Sequence, residues 1–170
     1  GNDTVDLVTA NQSMYLVFSA AHGLSDGDLI IYDGGTGNIS GLVDGQEYLV
    51  SVLDDMTVAL ALNDGSPEAV TFDFSTASGT HSFHLSGDAT TTFSVNTATQ
   101  DSYLFLADDA TRTLVTGESV SYDNGGWTTI AAFDDVTDYA VIAVSEQVIS
   151  LKHGTAGNAI EVDFSAASGT

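Results

Sequence analysis

The stretch from His22 to Leu62, HGLSDGDLIIYDGGTGNISGLVDGQEYLVSVLDDMTVALAL, decides the fold. It holds three short apolar runs, Leu29 to Tyr32, Tyr48 to Leu53 and Val58 to Leu62, each fenced by Gly, Asp or Asn. Runs of this length between turn formers are strands joined by tight turns, because Gly reaches positive φ without steric cost and Asp or Asn bonds its own nearby backbone. Within them the side chains alternate. Tyr48, Val50 and Val52 share one face and Leu49, Ser51 and Leu53 the other; Val58, Leu60 and Leu62 read as inward, Thr57, Ala59 and Ala61 as outward.

Outward from this stretch the alternation continues. Thr4 to Val8 and Met14 to Phe18 read as strands before it, and Val70-Thr71-Phe72-Asp73-Phe74 as a strand after it, with Val70, Phe72 and Phe74 in. That last segment is rewritten later as Ile160-Glu161-Val162-Asp163-Phe164, and Ser75 to Thr80 recurs as Ser165 to Thr170. Tyr15 matches Tyr103, Tyr32-Asp33 matches Tyr122-Asp123, and Tyr48 matches Tyr139. The anchors keep their order at a spacing of about 90 residues, which is an internal repeat. No segment shows the helical i, i+3, i+4, i+7 pattern over three turns.

The expectation is an all-β chain of two tandem antiparallel β-sandwich-like modules of about 85–90 residues, residues 1–86 and residues 87–170. His81 to Leu85 reads as one more strand that closes the first module, and Gly87-Asp88 opens the second much as Gly1-Asn2-Asp3 opens the first. The second module reaches Thr170 with its closing strand missing. Either the sequence is a window of a longer array, the preferred reading, or an open edge is filled by a neighbouring chain.

Composition narrows the class. Against 24 acidic residues stand only Arg112 and Lys152, a formal net charge of −22. Such a surface repels the phosphates of nucleic acid and of anionic membranes, so nucleic-acid binding and membrane insertion are not expected. Hydrophobic content of 43% with a single Pro argues for a folded chain despite that charge. With no cysteine, thiolate zinc sites are ruled out, and the charge suits a saline or calcium-containing exterior.

HGLSDGD, GLVDGQEYLVSVLDDMTVALA and FDFSTASGTH resemble the repeat units of very large secreted bacterial surface proteins, the giant adhesin-like and matrix-like polypeptides built of acidic, cysteine-free tandem β modules. Similar units occur in phage tail fibre proteins. The resemblance spans about Met14 to His81 and, in worn form, the second module, where Thr111 to Gly117 replaces HGLSDGD. It implies an extracellular or cell-surface structural protein, a filament or adhesin segment that assembles through strand edges with copies of itself or neighbouring repeats. It supplies no functional residues.

The chemistry-bearing residues point the same way. Asp26, Asp28, Asp33, Asp54, Asp55, Asp108, Asp109, Asp134 and Asp135 fall in loops, where oxygen ligands for Ca²⁺ would come from, yet neither the EF-hand nor the calcium β-roll spacing is present. The solvated-turn reading is preferred, Ca²⁺ stays open to test, and no carboxylate is assigned to a metal. A glycosidase pair needs two carboxylates about 5–9 Å apart in an aromatic groove, and only Trp127 and six tyrosines could line one. His81 and His84 lie three apart, on opposite faces of a strand, and read as surface polar residues rather than chelators. Gly35-Thr36-Gly37 is a turn, not a phosphate loop. Asn2, Asn11 and Asn38 start glycosylation patterns that matter only in a glycosylating host. Trp127 reads first as a core anchor and second as a sugar-stacking residue, which keeps two alternatives in view: a carbohydrate-binding module that recognises cell-surface polysaccharide, and a phage fibre or decoration protein. No catalytic residue and no cofactor-binding residue is expected, and the chain is read as a non-enzyme.

Overall fold

The computed structural model describes residues 12–35, 37–106, 113–124, 130–134 and 137–164. The chain is all-β, with two antiparallel sheets and a single helical turn among the described residues. It divides into two compact units: Ser13–Gln100, and a second in which Gln12 joins the residues from Asp101 onward.

The first unit is a six-stranded sheet of β1 (Tyr15–Val17), β2 (Leu29–Asp33), β3 (Glu47–Val52), β4 (Thr57–Leu62), β5 (Thr80–Leu85) and β6 (Asp88–Asn96), in the order β1-β4-β3-β2-β5-β6. The alternation in β3 and β4 translates directly into register. Tyr48 faces Leu62, Val50 faces Leu60 and Val52 faces Val58, so large side chains stack across the pair on one face. Tyr48, Val50, Val58 and Leu60 join Leu16, Phe18, Ile30, Tyr32, Phe83, Phe93 and Val95 in one core. Phe18 sits edge-on to Phe83, and Phe83 packs beside Tyr32. The sheet curls until its two ends meet, since Ser19, just past β1, donates its N–H to Ser94 of β6 at 2.8 Å.

The second unit contains β7 (Leu104–Phe105), β8 (Ser119–Ser121), β9 (Asp138–Ala143) and β10 (Val148–His153), in the order β7-β10-β9-β8. Position by position this is the order β1-β4-β3-β2 of the first unit. Its core gathers Leu104, Leu106, Leu114, Ile130, Phe133, Tyr139, Val141, Ile149, Leu151 and Val162. On the outer flank of β8 no strand is present among the described residues, whereas its counterpart β2 carries β5 there.

Four expectations are adjusted. The division expected after residue 86 falls elsewhere: Asp88–Asn96 turns back at Gly87, whose φ is 83°, and pairs with Thr80–Leu85 as the last strand of the first sheet. Residues 70–74 keep their alternation, with Phe72 buried and Thr71 and Asp73 exposed, but form no continuous strand. Their N–H groups go to three different partners, Val70 to Leu60 O, Phe72 to Ser13 O and Asp73 to Ser40 O, so the segment lies across the end of the core. Ile160 and Val162 repeat this with Leu151 O and Asp101 O. Thr57 is fully buried rather than outward, because Leu53 and Asp54 both donate to its carbonyl and fold the turn over it, while Leu62, where β4 runs into its turn, is 41% exposed. The closing strand expected at His81 to Leu85 is β5, yet His81 is buried within it. Expectations on Thr4 to Val8, Asn2, Asn11, Asp108, Asp109, Arg112, Trp127, Asp135 and residues 165–170 lie outside the described residues.

Candidate functional site

The polar side chains most deeply engaged with backbone are two glutamines. A primary amide carries an acceptor oxygen and a two-hydrogen donor, so one glutamine can meet both backbone groups of a strand residue as a neighbouring strand would. Gln100 ends the helical turn Thr97–Gln100 that follows β6 and is 6% exposed. Its Oε1 accepts from Val17 N at 3.1 Å and its Nε2 donates to Val17 O at 3.0 Å. A third contact, Nε2 to Asn96 O at 3.1 Å, ties the side chain to the end of β6. The turn is itself held by Thr97, whose N–H and hydroxyl both donate to Gly79 O. Gln12 does the same in the second unit: Oε1 accepts from Phe105 N and Nε2 donates to Phe105 O, both at 2.9 Å. Among the described residues β1 and β7 are the end strands of their sheets, and Val17 and Phe105 are buried. Removing the clamp from Val17 takes the partner from two buried backbone groups, at about 1–3 kcal/mol apiece.

Tyrosine hydroxyls pin the loops to the sheet in both units. Ile39 N donates to Tyr32 Oη at 2.9 Å and Val43 N to Tyr48 Oη at 2.9 Å; their counterparts are Ile130 N to Tyr122 Oη at 3.0 Å and Asp134 N to Tyr139 Oη at 2.7 Å. Burial raises the pKa of Tyr32 and of Tyr48, against the lowering effect of these backbone donors. The first unit adds a buried relay. Tyr32 Oη lies 2.7 Å from His81 Nδ1, and His81 Nε2 lies 3.1 Å from Ser78 O, so the consistent arrangement has Tyr32 donating to Nδ1 and Nε2–H donating to the carbonyl. His81 is therefore a hydrogen-bonded core residue. His84 is half-buried and paired with Ile31 and Thr92 on the other face, and the two imidazoles are not brought together.

The loop aspartates act on backbone. Asp26 accepts from Val52 N at 2.6 Å, Asp28 from Ser25 N at 2.8 Å, Asp33 from Gly35 N at 3.1 Å and Asp54 from Met56 N at 3.0 Å. Asp44, not singled out in the sequence, accepts from Gly34 N at 2.9 Å. Among the described residues no three His, Asp or Glu side chains gather as a metal site would require. Outside the loops, Asp88 collects the Thr90 and Thr91 hydroxyls at 2.6 and 2.7 Å and the Thr90 N–H at 3.0 Å; these donors pull its carboxyl down to about 2.

Comparison of the chain with family models, curated proteins and solved structures gives no match. The glutamine clamps were missed by reading the sequence from its apolar runs. The offset that pairs Tyr15 with Tyr103 also pairs Thr9-Ala10-Asn11-Gln12 with Thr97-Ala98-Thr99-Gln100. Carrying the repeat a few residues further upstream would have found both.

Proposed function

We propose that the chain is a structural, self-associating repeat segment of an extracellular bacterial filament or giant adhesin, built to join β module to β module. One observation carries this reading: what the two units hold in common is fastening. The strand order, the tyrosine pins, the crossing segments at residues 70–74 and 160–164, and the glutamine clamps are all duplicated. Duplicated scaffold is what repeat architectures preserve, since each unit must bury its core and finish its own edges. The acidic surface keeps neighbouring copies soluble, and cations or salt moderate their repulsion.

The test is electron microscopy of the native material with intact mass measurement on the same sample. Filaments built of chains near 17.6 kDa, or one polypeptide many times heavier that contains this sequence, are the expected outcomes. Isolated compact particles of a single short chain would overturn the proposal.

A further inference from the structure

The two cores match position by position except along one flank. Tyr139, Val141 and Leu151 stand in the second unit where Tyr48, Val50 and Leu60 stand in the first. The difference lies at β2 and β8. Ile30 and Tyr32 of β2 are fully buried, in a core that the β5–β6 hairpin completes with Phe83, Phe93 and Val95. Val120 and Tyr122, their counterparts in and just past β8, are only half-buried, and the second core holds no counterpart of those three side chains among the described residues. The polar groups tell the same story. Tyr122 Oη accepts from Ile130 N as Tyr32 Oη accepts from Ile39 N, but Tyr32 also spends its own proton on His81 of β5, and no such acceptor for Tyr122 is present among the described residues. Tyr122 N turns inward to Thr137 O, so alternation turns the N–H and C=O of Ser119 and Ser121 to the outer flank. In the first unit the matching group, Leu29 O, accepts there from Ser86 N.

We propose that the outer edge of β8 is a docking site for a β hairpin of the β5–β6 pattern, presented by a neighbouring repeat. This rests on the module-joining role proposed above and names its joint. The hairpin pairs antiparallel with Ser119–Ser121 in the register of β5 on β2, and its aromatic side chains cover Val120 and Tyr122. Backbone bonds then supply affinity and alternate side chains supply specificity. The chemistry of both partners suits the joint. Strand edges are ordinarily blunted by charge or Pro, yet Ser119-Val120-Ser121 carries neither. Residues 80–96, which define the hairpin pattern, hold one carboxylate, Asp88, in a chain of net charge −22. Such a hairpin meets little repulsion from the acidic surface it approaches.

The experiment follows amide hydrogen exchange of the full chain by NMR, alone and with a synthetic peptide of residues 80–96 in excess. The amides of Ser119 and Ser121 should exchange freely in the chain alone and slow by about tenfold or more when the peptide is bound. A peptide carrying Phe83→Asp should fail to slow them at the same concentration. An isolated hairpin is only marginally stable in water, so a second measurement supplies it by tether. Because Ser165 to Thr170 repeats Ser75 to Thr80, a chain lengthened after Thr170 by a copy of residues 81–100 presents the hairpin in the equivalent place. That chain should protect the same two amides and raise the urea midpoint of the second unit, and Phe83→Asp with Phe93→Asp in the added copy should abolish both effects. Protection of Ser119 and Ser121 in the parent chain alone overturns the proposal, as does a lengthened chain in which both still exchange freely. Native filaments whose β8 amides stay unprotected would sink the docking edge and leave the filament reading intact. Compact single chains from the native source whose β8 amides the peptide still protects would do the reverse.

Discussion

Ala132 is the one non-glycine residue with positive φ, 80°, among the described residues, and the first unit explains why it is there. It follows Ala131, which bridges Asp163, as Gly41 follows Ser40, which bridges Asp73. Gly41 has φ 98°, and a Cβ built on it would lie 2.1 Å from the carbonyl oxygen of Thr71. The bend is the same in both units, and only the second asks an L-residue to make it. Ala132→Gly should therefore stabilise the second unit by about 0.5–1 kcal/mol, the strain relieved being partly offset by the freer unfolded chain; Gly41→Ala should destabilise the first by about 2–4 kcal/mol. Urea denaturation of the two variants beside the parent chain measures both. Thr57 offers a second single-residue test. Its hydroxyl is buried with no hydrogen-bond partner among the described residues. Thr57→Val keeps the β-branched shape and removes that polar atom, so it should raise stability by about 1 kcal/mol; an unchanged or lowered urea midpoint would mean that water reaches the site.

At the scale of elements, the β5–β6 hairpin carries an acid-sensitive lock. Donors from Thr90 and Thr91 hold the Asp88 carboxyl at about 2, below its ordinary 3.8, so the folded state takes up its proton later than the unfolded chain does. The stability this contributes is complete above about pH 4 and is lost as the pH falls toward 2. Glu47 adds in the same direction, since Ser86 Oγ and Asn63 Nδ2 donate to its carboxylate and lower its pKa. Asp88→Asn should show a smaller fall in urea midpoint between pH 5 and pH 2.5 than the parent. Much of this level could be read in the sequence. The strands β2 to β5 fall where apolar runs alternate between turn formers, because burial on one face of a pleated strand imposes period two on the residues themselves. Residues 70–74 show where that logic stops: alternation records which side chains are buried, not where their N–H groups go, and here they go to three separate partners. The histidine relay escaped for a related reason. One buried imidazole looks like any exposed one until Tyr32 and Ser78 are placed around it. The clamps escaped because Gln12 and Gln100 are polar residues outside every apolar run, and their meaning lies in strand edges 93 and 83 positions away.

For the whole molecule the dominant quantity is charge. A net −22 over 170 residues means that the folded state concentrates like charges which the unfolded chain spreads out. Raising NaCl from 10 mM to 0.5 M shortens the screening length from about 30 Å to a few ångströms, so Tm should rise by several degrees across that range. If instead micromolar calcium raises it and a chelator reverses the gain at constant ionic strength, specific binding is present. A flat response to calcium leaves screening alone as the cause. The same scale shows the repeat and the folded unit to be out of phase. Sequence similarity restarts near Gly87, whereas the first fold runs on to Gln100. Only the strand pairing of residues 88–96 reveals the difference.

That phase has a consequence for a chain under tension. Ser13 and Gln100 are the two ends of the first unit, and Gln100 grips Val17, only a few residues inside the opposite end. A pull entering at one end and leaving at the other loads that pair of hydrogen bonds directly, together with the β1–β4 pairing and the Phe72 N–Ser13 O bond beside it. Gln100 is thus a mechanical latch: Gln100→Ala should lower the rupture force of the first unit in single-molecule stretching more than its modest cost in equilibrium stability would suggest.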